Sequence, residues 1–245
     1  KGQVKISGSK NASLPILAAT LLSDKRISLT NIPRVKDVET MIKLLESMGS
    51  KVKVLKNKNS WTIKNDKIIK AEASYDLMST MRAGIIVLGP LLARFGKARA
   101  SIPGGCNLGF RPIDIHLEAL KKMGVKYKLV DGYINAKAKN GLVGAKIKFP
   151  KISVGATENL MIAACLAKGQ TVLSNCAIEP EIKDLSNFLC SIGAKIVWTG
   201  RRQVKIIGIK TFKQSNYKIM FDRIEAGTML VAAAVNQGNL KLTGI

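Results

Sequence analysis

The sequence predicts an α/β fold in which one unit, helix–strand–loop–helix–strand–strand, recurs along the chain. Three observations predict it. Amphipathic segments with i, i+3/i+4 apolar spacing lie at 38–52, 113–127 and 182–196, and each helical pattern stops at a glycine: Gly49, Gly124 or Gly193. Ala-rich segments, apolar nearly all round and therefore read as buried, precede them at 12–22, 81–94 and 157–167. The three glycines stand 75 and then 69 residues apart, which marks an internal repeat.

The elements follow in order. The first unit opens with an apolar helix over 12–22 and a strand over 26–29. Its second helix gathers Val38, Met41, Ile42, Leu45 and Met48 on one face, before paired strands at 51–55 and 61–64. The second unit has its apolar helix at 81–94 and a strand at 98–102. Its amphipathic helix carries Ile113, Leu117, Leu120 and Met123. The third has a helix at 157–167, a strand at 170–173, and a helix carrying Ile182, Leu185, Phe188, Leu189 and Ile192. A fourth unit begins at Arg223, with an Ala-rich helix over 226–235 and a strand over 239–242. Segments 141–144 and 211–216 read as loops. The fourth unit stops short at Ile245, so three whole units are expected to form one domain and the chain is expected to be a fragment of a longer polypeptide.

Composition narrows the function classes. Hydrophobic residues make up 47% of the 245 positions, too many for a disordered chain. No apolar run approaches the ~20 residues of a membrane helix, so no membrane partner is expected. Four cysteines without CxxC spacing suggest neither a disulfide scaffold nor a zinc site. A lone histidine, His116, excludes a His-rich metal site. Without a secretory leader pattern, a reducing cytoplasm is the expected location. Lys+Arg number 40 against 16 Asp+Glu, a formal charge of +24. Lysines scattered over the surface, a cleft for anionic substrates and a nucleic-acid stripe all account for that excess. Aromatics are only 5% and the lysines occur singly, which favours scatter.

The densest candidate for chemistry is the loop 103–112, PGGCNLGFRP, whose glycines let backbone approach a ligand. Cys106 lies in its middle, in positive surroundings that lower a thiol pKa. Arg111 adjoins the following helix, and Pro112 suits that helix's first turn. A helix N-terminus beside an Arg is an anion site. Ser7-Gly8-Ser9-Lys10-Asn11 is a second turn running into a helix, with Lys10 and Asn11 at the positive end of its dipole. It lacks the spacing of a P-loop. Arg82 stands at the analogous start of the second unit's apolar helix. His116 is read as structural, and Cys165 and Cys190 as core thiols; Cys176 follows a strand.

Together, Gly8-Ser9-Lys10-Asn11-Ala12, Met81-Arg82-Ala83, the Cys106 loop with Arg111-Pro112-Ile113-Asp114-Ile115, and Ser153-Val154-Gly155-Ala156-Thr157 resemble the UDP-N-acetylglucosamine 1-carboxyvinyltransferase family of enolpyruvyl transferases. The likeness runs through essentially the whole chain. It implies an inside-out α/β barrel of pseudo-threefold symmetry, with residues 10–218 as a first domain and 1–9 and 219–245 as parts of a truncated second. It implies transfer of the enolpyruvyl group of phosphoenolpyruvate to the 3-hydroxyl of the nucleotide sugar, releasing phosphate, in peptidoglycan synthesis. Cys106 would be the catalytic proton donor and the target of fosfomycin. Lys10 and Arg111 would hold phosphoenolpyruvate. Asn11, Arg82, Arg111, Pro112, Ile113, Asp114 and Ile115, with Lys151, Ile152, Ser153, Val154 and Gly155, would bind the UDP-sugar. No cofactor or metal is implied, and the oligomeric state is left open. The family's general base and a second phosphoenolpyruvate-binding Arg fall outside the sequence, so negligible turnover is expected of these residues alone.

Two alternatives stand beside this reading. A shikimate-pathway enolpyruvyl transferase shares the fold but lacks the cysteine loop. A basic nucleic-acid module would use the +24 charge and would gather its lysines on one face.

Overall fold

The computed structural model describes residues 1–55, 60–68, 70–104 and 113–245. In chain order the elements are β1 (Gly2–Lys5), α1 (Lys10–Ala19), β2 (Ile27–Thr30), α2 (Lys36–Ser47), β3 (Lys51–Leu55), β4 (Ser60–Lys64), β5 (Glu72–Ala73) and α3 (Tyr75–Met78). They continue with α4 (Leu88–Phe95), β6 (Lys97–Ser101), α5 (Asp114–Lys122), β7 (Lys126–Val130), β8 (Tyr133–Lys137), β9 (Lys146–Lys148) and α6 (Val154–Ala164). The last are β10 (Gln170–Ser174), α7 (Pro180–Ser191), β11 (Lys195–Gly200), β12 (Gln203–Ile207), β13 (Ser215–Lys218), α8 (Arg223–Val235) and β14 (Leu240–Thr243).

Three four-stranded sheets share one topology: β13-β2-β4-β3, β5-β6-β8-β7 and β9-β10-β12-β11. In each, the first pair is parallel and the other two are antiparallel. β5 and β9 immediately precede the apolar segment of their own unit. In the first sheet that place is taken by β13, nearly the whole chain later, with Ser215 opposite Ile27 and Lys218 opposite Thr30. β1 pairs instead with β14 in a separate parallel pair. Strand alternation turns Trp61, Ile63, Ile134, Ala136, Val204 and Ile206 inward. It leaves Lys51, Lys53, Lys126, Lys128 and Lys195 exposed on three separate sheets, the scatter that composition favours.

The centre is made of helices. α1, the segment Arg82–Val87 with α4, and α6 pack on one another. Ala12 through Leu22 and Ala156 through Cys165 are buried without interruption, as segments apolar all round require. α2, α5 and α7 lie against this centre. Gly49, Gly124 and Gly193 follow these helices with φ of 107°, 90° and 106°. The left-handed helix ends foreseen at these glycines therefore form.

Four expectations need correction. The second apolar helix is a 3₁₀ turn over Arg82–Val87 before it becomes α-helical. β-branched Ile85, Ile86 and Val87 and the missing N–H of Pro90 weaken an α-helix there. α6 starts at Val154, before Thr157, because Ser153 caps it by accepting from Ala156 N at 3.3 Å. Cys190 is exposed, since it shares the outward face with Lys183 and Asn187 at helical spacing; Cys165 is buried as expected. Segment 211–216 is a loop only as far as Gln214, where β13 begins. The Ala-rich α8 also differs from its counterparts: Leu230, Val231 and Val235 are exposed.

Close approach of α4 to α6 depends on Gly89, where an added Cβ would lie 2.1 Å from Asn159 Oδ1 and 2.6 Å from its carbonyl oxygen. Gly89→Ala should therefore cost roughly 1–3 kcal/mol by overpacking. Gly227, on α8, has nothing within 4 Å of such a Cβ, so Gly227→Ala should stabilise by roughly 0.5–1 kcal/mol through helix propensity. Urea unfolding of both variants checks the pair, and equal destabilisation would contradict the packing account.

Candidate functional site

A cleft of about 710 Å³ opens where the first turns of the three central segments meet. Lys10 and Asn11 come from α1, Met81, Arg82 and Ala83 from the 3₁₀ turn, and Ser153, Val154 and Gly155 from the start of α6. Ser9 caps α1 by accepting from Ala12 N at 3.2 Å, whereas Met81 supplies no side-chain cap. Helix N-termini carry unpaired N–H groups and partial positive charge, so their convergence makes an anion site. Exposed Lys151 adds charge at the rim.

Carboxylates counter that charge at fixed points. Lys10 Nζ pairs with Asp37 Oδ2 at 3.0 Å, half-exposed and so energetically minor. Arg223 grips buried Glu181 through both oxygens, at 3.0 and 3.2 Å. The two pairs repeat one device. Lys10 and Arg223 are the first residues of α1 and α8; Asp37 and Glu181 are the second residues of α2 and α7. Asp222 accepts from Ile224 N, Glu225 N and Lys10 N, tying the starts of α8 and α1 together. Ser7 donates through its N–H and hydroxyl to Glu225.

His116 lines the cleft and is 7% exposed. Asn159 Nδ2 donates to the Ile85 carbonyl at 3.2 Å and lies 3.0 Å from His116 Nδ1. Nδ1 therefore accepts, and the ring proton sits on Nε2. Burial first, and then the nearby Arg82 charge, lower its pKa to about 4. The ring is thus a neutral donor at neutral pH. Glu158, on the next turn of α6, is driven the other way: burial and the charges of Glu181 and Glu179 raise its pKa well above the carboxylate range.

Of the residues singled out in the sequence, Lys10, Asn11, Arg82, Ile113, Ile115, Lys151, Ile152, Ser153, Val154 and Gly155 line this cleft. Asp114 does not: it is exposed at the start of α5. Cys106, Arg111 and Pro112 lie outside the described residues. α5 begins at Asp114. Asp37, His116, Glu158, Glu179, Glu181 and Arg223 line the cleft without having been foreseen as site residues. Asp37 and Glu181 were legible, since both stand twelve residues before a helix-ending glycine. Among the described residues, no group of three or more His, Cys, Asp or Glu side chains could hold a metal ion, and no helix is long and apolar enough to cross a membrane.

The family model described as EPSP synthase (3-phosphoshikimate 1-carboxyvinyltransferase) matches residues 1–245. The chain belongs to the EPSP synthase family. Within that family it is similar to the UDP-N-acetylglucosamine 1-carboxyvinyltransferases of Pelagibacter ubique (strain HTCC1062), 66% identical, and Trichlorobacter lovleyi, 49% identical. Both matches cover 100% of this chain, and the chain spans 58% of the length of each relative. Among solved structures, the enolpyruvyl transferase NikO from Streptomyces tendae superposes with a TM-score of 0.82 at 21% identity, over 95% of this chain and 55% of that one. EPSP synthase from Acinetobacter baumannii gives 0.76 at 16%, over 96% and 53%. These likenesses place the chain in the mixed α/β enolpyruvyl transferase fold.

With one histidine in the sequence, the ring state can be read directly. Its folded pKa lies below the unfolded value of about 6.5. The stability linked to its neutral form is therefore fully present above pH 6.5 and is lost as pH falls towards 4, by roughly 3 kcal/mol. An NMR titration should show the His116 Cε1 proton moving with a midpoint near 4; a midpoint near 6.5 would contradict the buried, acceptor-only Nδ1.

Proposed function

We propose that this chain forms the nucleotide-sugar-binding part of an enzyme that transfers the enolpyruvyl group of phosphoenolpyruvate to the 3-hydroxyl of UDP-N-acetylglucosamine. The observation that carries the reading is the cleft at the three helix starts, lined by ten of the residues that the resemblance assigns to substrate. The relatives at 66% and 49% identity, each named for this reaction, supply the substrate class. A cleft of about 710 Å³ suits a ligand of nucleotide-sugar size.

The chemistry assigns work to each part. Both substrates are anionic, so bringing them together requires convergent positive charge. The N–H groups at the starts of α1 and α6 that the Asp222, Ser9 and Ser153 side chains leave open donate to phosphate oxygens, and Lys151 and Arg82 neutralise the remaining charge. Lys10 faces the phosphoenolpyruvate side, with Asp37 holding its ammonium group. Neutral His116 donates from Nε2 without adding charge. In the reaction a proton goes to the methylene carbon of phosphoenolpyruvate and the sugar oxygen bonds to C2. Loss of a proton and of phosphate restores the double bond. Cys106 would supply the proton to carbon, and Arg111 would hold the phosphoenolpyruvate anion.

We further infer that the three equivalent sheets surround the central helices about a pseudo-threefold axis, an inside-out barrel. β13, reaching back to β2, joins the end of the barrel to its beginning. On this reading residues 10–218 form one domain, while β1, β14 and α8 belong to another.

Calorimetric titration with UDP-N-acetylglucosamine and with shikimate 3-phosphate separates this reading from the shikimate-type alternative. Saturable binding of the nucleotide sugar alone is expected, weakened about tenfold by Lys151→Ala through loss of a charge-assisted contact. Preference for shikimate 3-phosphate would overturn the substrate assignment.

A further inference from the structure

Glu158 is the least explained group in the cleft. It sits inside the second turn of α6, is only 4% exposed, and lines the cavity. Among the described residues, no hydrogen bond or ion pair engages its carboxyl group. Its acidic neighbours offer no relief. Glu181 is committed to Arg223, and Glu179 has a buried Oε2 without a partner. A residue as buried as Glu158, whose carboxyl oxygens lack a protein partner and are not sealed from the cleft, is placed for a ligand to bond.

The position also selects a ligand chemistry. Lys10, Arg82 and Lys151 line the cleft together with the helix starts, and these groups suit phosphates. The Glu158 carboxyl, with Glu181 and Glu179 near it, makes an acidic spot in the same cleft. That combination repels phosphate and suits hydroxyl and amide groups, which both donate and accept. We propose that Glu158 is a substrate-contacting, specificity-determining residue: its carboxyl group makes a hydrogen bond with the hydroxyl- and acetamido-bearing sugar ring. The proposal rests on the nucleotide-sugar reading above.

The test compares UDP-N-acetylglucosamine with UDP, which shares the phosphates and uridine but lacks the sugar. Binding of each to the chain and to its Glu158→Gln and Glu158→Met variants is measured, with the thermal midpoint recorded alongside. Glu158→Gln keeps the size and hydrogen-bonding capacity of the side chain and should bind both ligands within about twofold of the parent chain. Glu158→Met should weaken the nucleotide sugar five- to tenfold and UDP by less than twofold, by loss of one neutral hydrogen bond. It should also raise the melting temperature, because the unpaired carboxyl is gone. Equal weakening of both ligands, or no weakening of the nucleotide sugar, would overturn the role of Glu158 alone. So would a Glu158→Gln variant as impaired as Glu158→Met. If the parent chain binds neither ligand, the nucleotide-sugar reading itself falls and takes this one with it.

Discussion

Three helical segments that are apolar on every side cannot present any face to water, and the rest of the architecture depends on that constraint. α1, the Arg82–Val87 turn with α4, and α6 must be covered all round. They cover one another at the centre, and amphipathic helices and sheets cover the remaining sides. Close packing in this way sets their starts side by side at one cleft. Like dipole ends gathered in one place repel, and their unpaired N–H groups need acceptors. The core thus creates an anion site through the same packing that stabilises it.

The carboxylates around the cleft answer that charge by two different means. Asp222, Asp37 and Glu181 hold the first residues of α8 and α1, either at the backbone or through Lys10 and Arg223. They fix geometry. Glu158 and Glu179 are not absorbed in this way, and Glu179 Oε2 is buried without a partner. Unpaired groups of this kind lower stability. The cleft therefore carries both cationic and acidic side chains.

Much of this was legible in the sequence because it depends on period and composition. The helix-ending glycines Gly49, Gly124 and Gly193, and the apolar helices between them, follow from spacing alone, as do the paired strands 51–55 and 61–64. Lys10, Asn11 and Arg82 could be placed at helix starts for the same reason. What escaped was non-local. β5, β9 and β13 are short edge strands whose partners lie elsewhere in the chain, and β13 finds β2 almost two hundred residues away. Local pattern could not show that 211–216 would end in a strand. His116 and Glu158 lie on helices as ordinary members of their sequence, and only packing against Asn159 or beneath the cleft distinguishes them. Asp114 sits in a motif that the resemblance assigns to substrate and is exposed at the start of α5, outside the lining of the cleft.

The central claim is that one anionic ligand is held by several helix starts at once. Amide chemical shifts recorded during addition of UDP-N-acetylglucosamine test it most directly. The N–H signals of Asn11 on α1, Ala83 on the 3₁₀ turn and Gly155 on α6 are expected to move together along one saturation curve. Movement confined to one of these segments, or centred on the lysine-bearing outer strands, would contradict it.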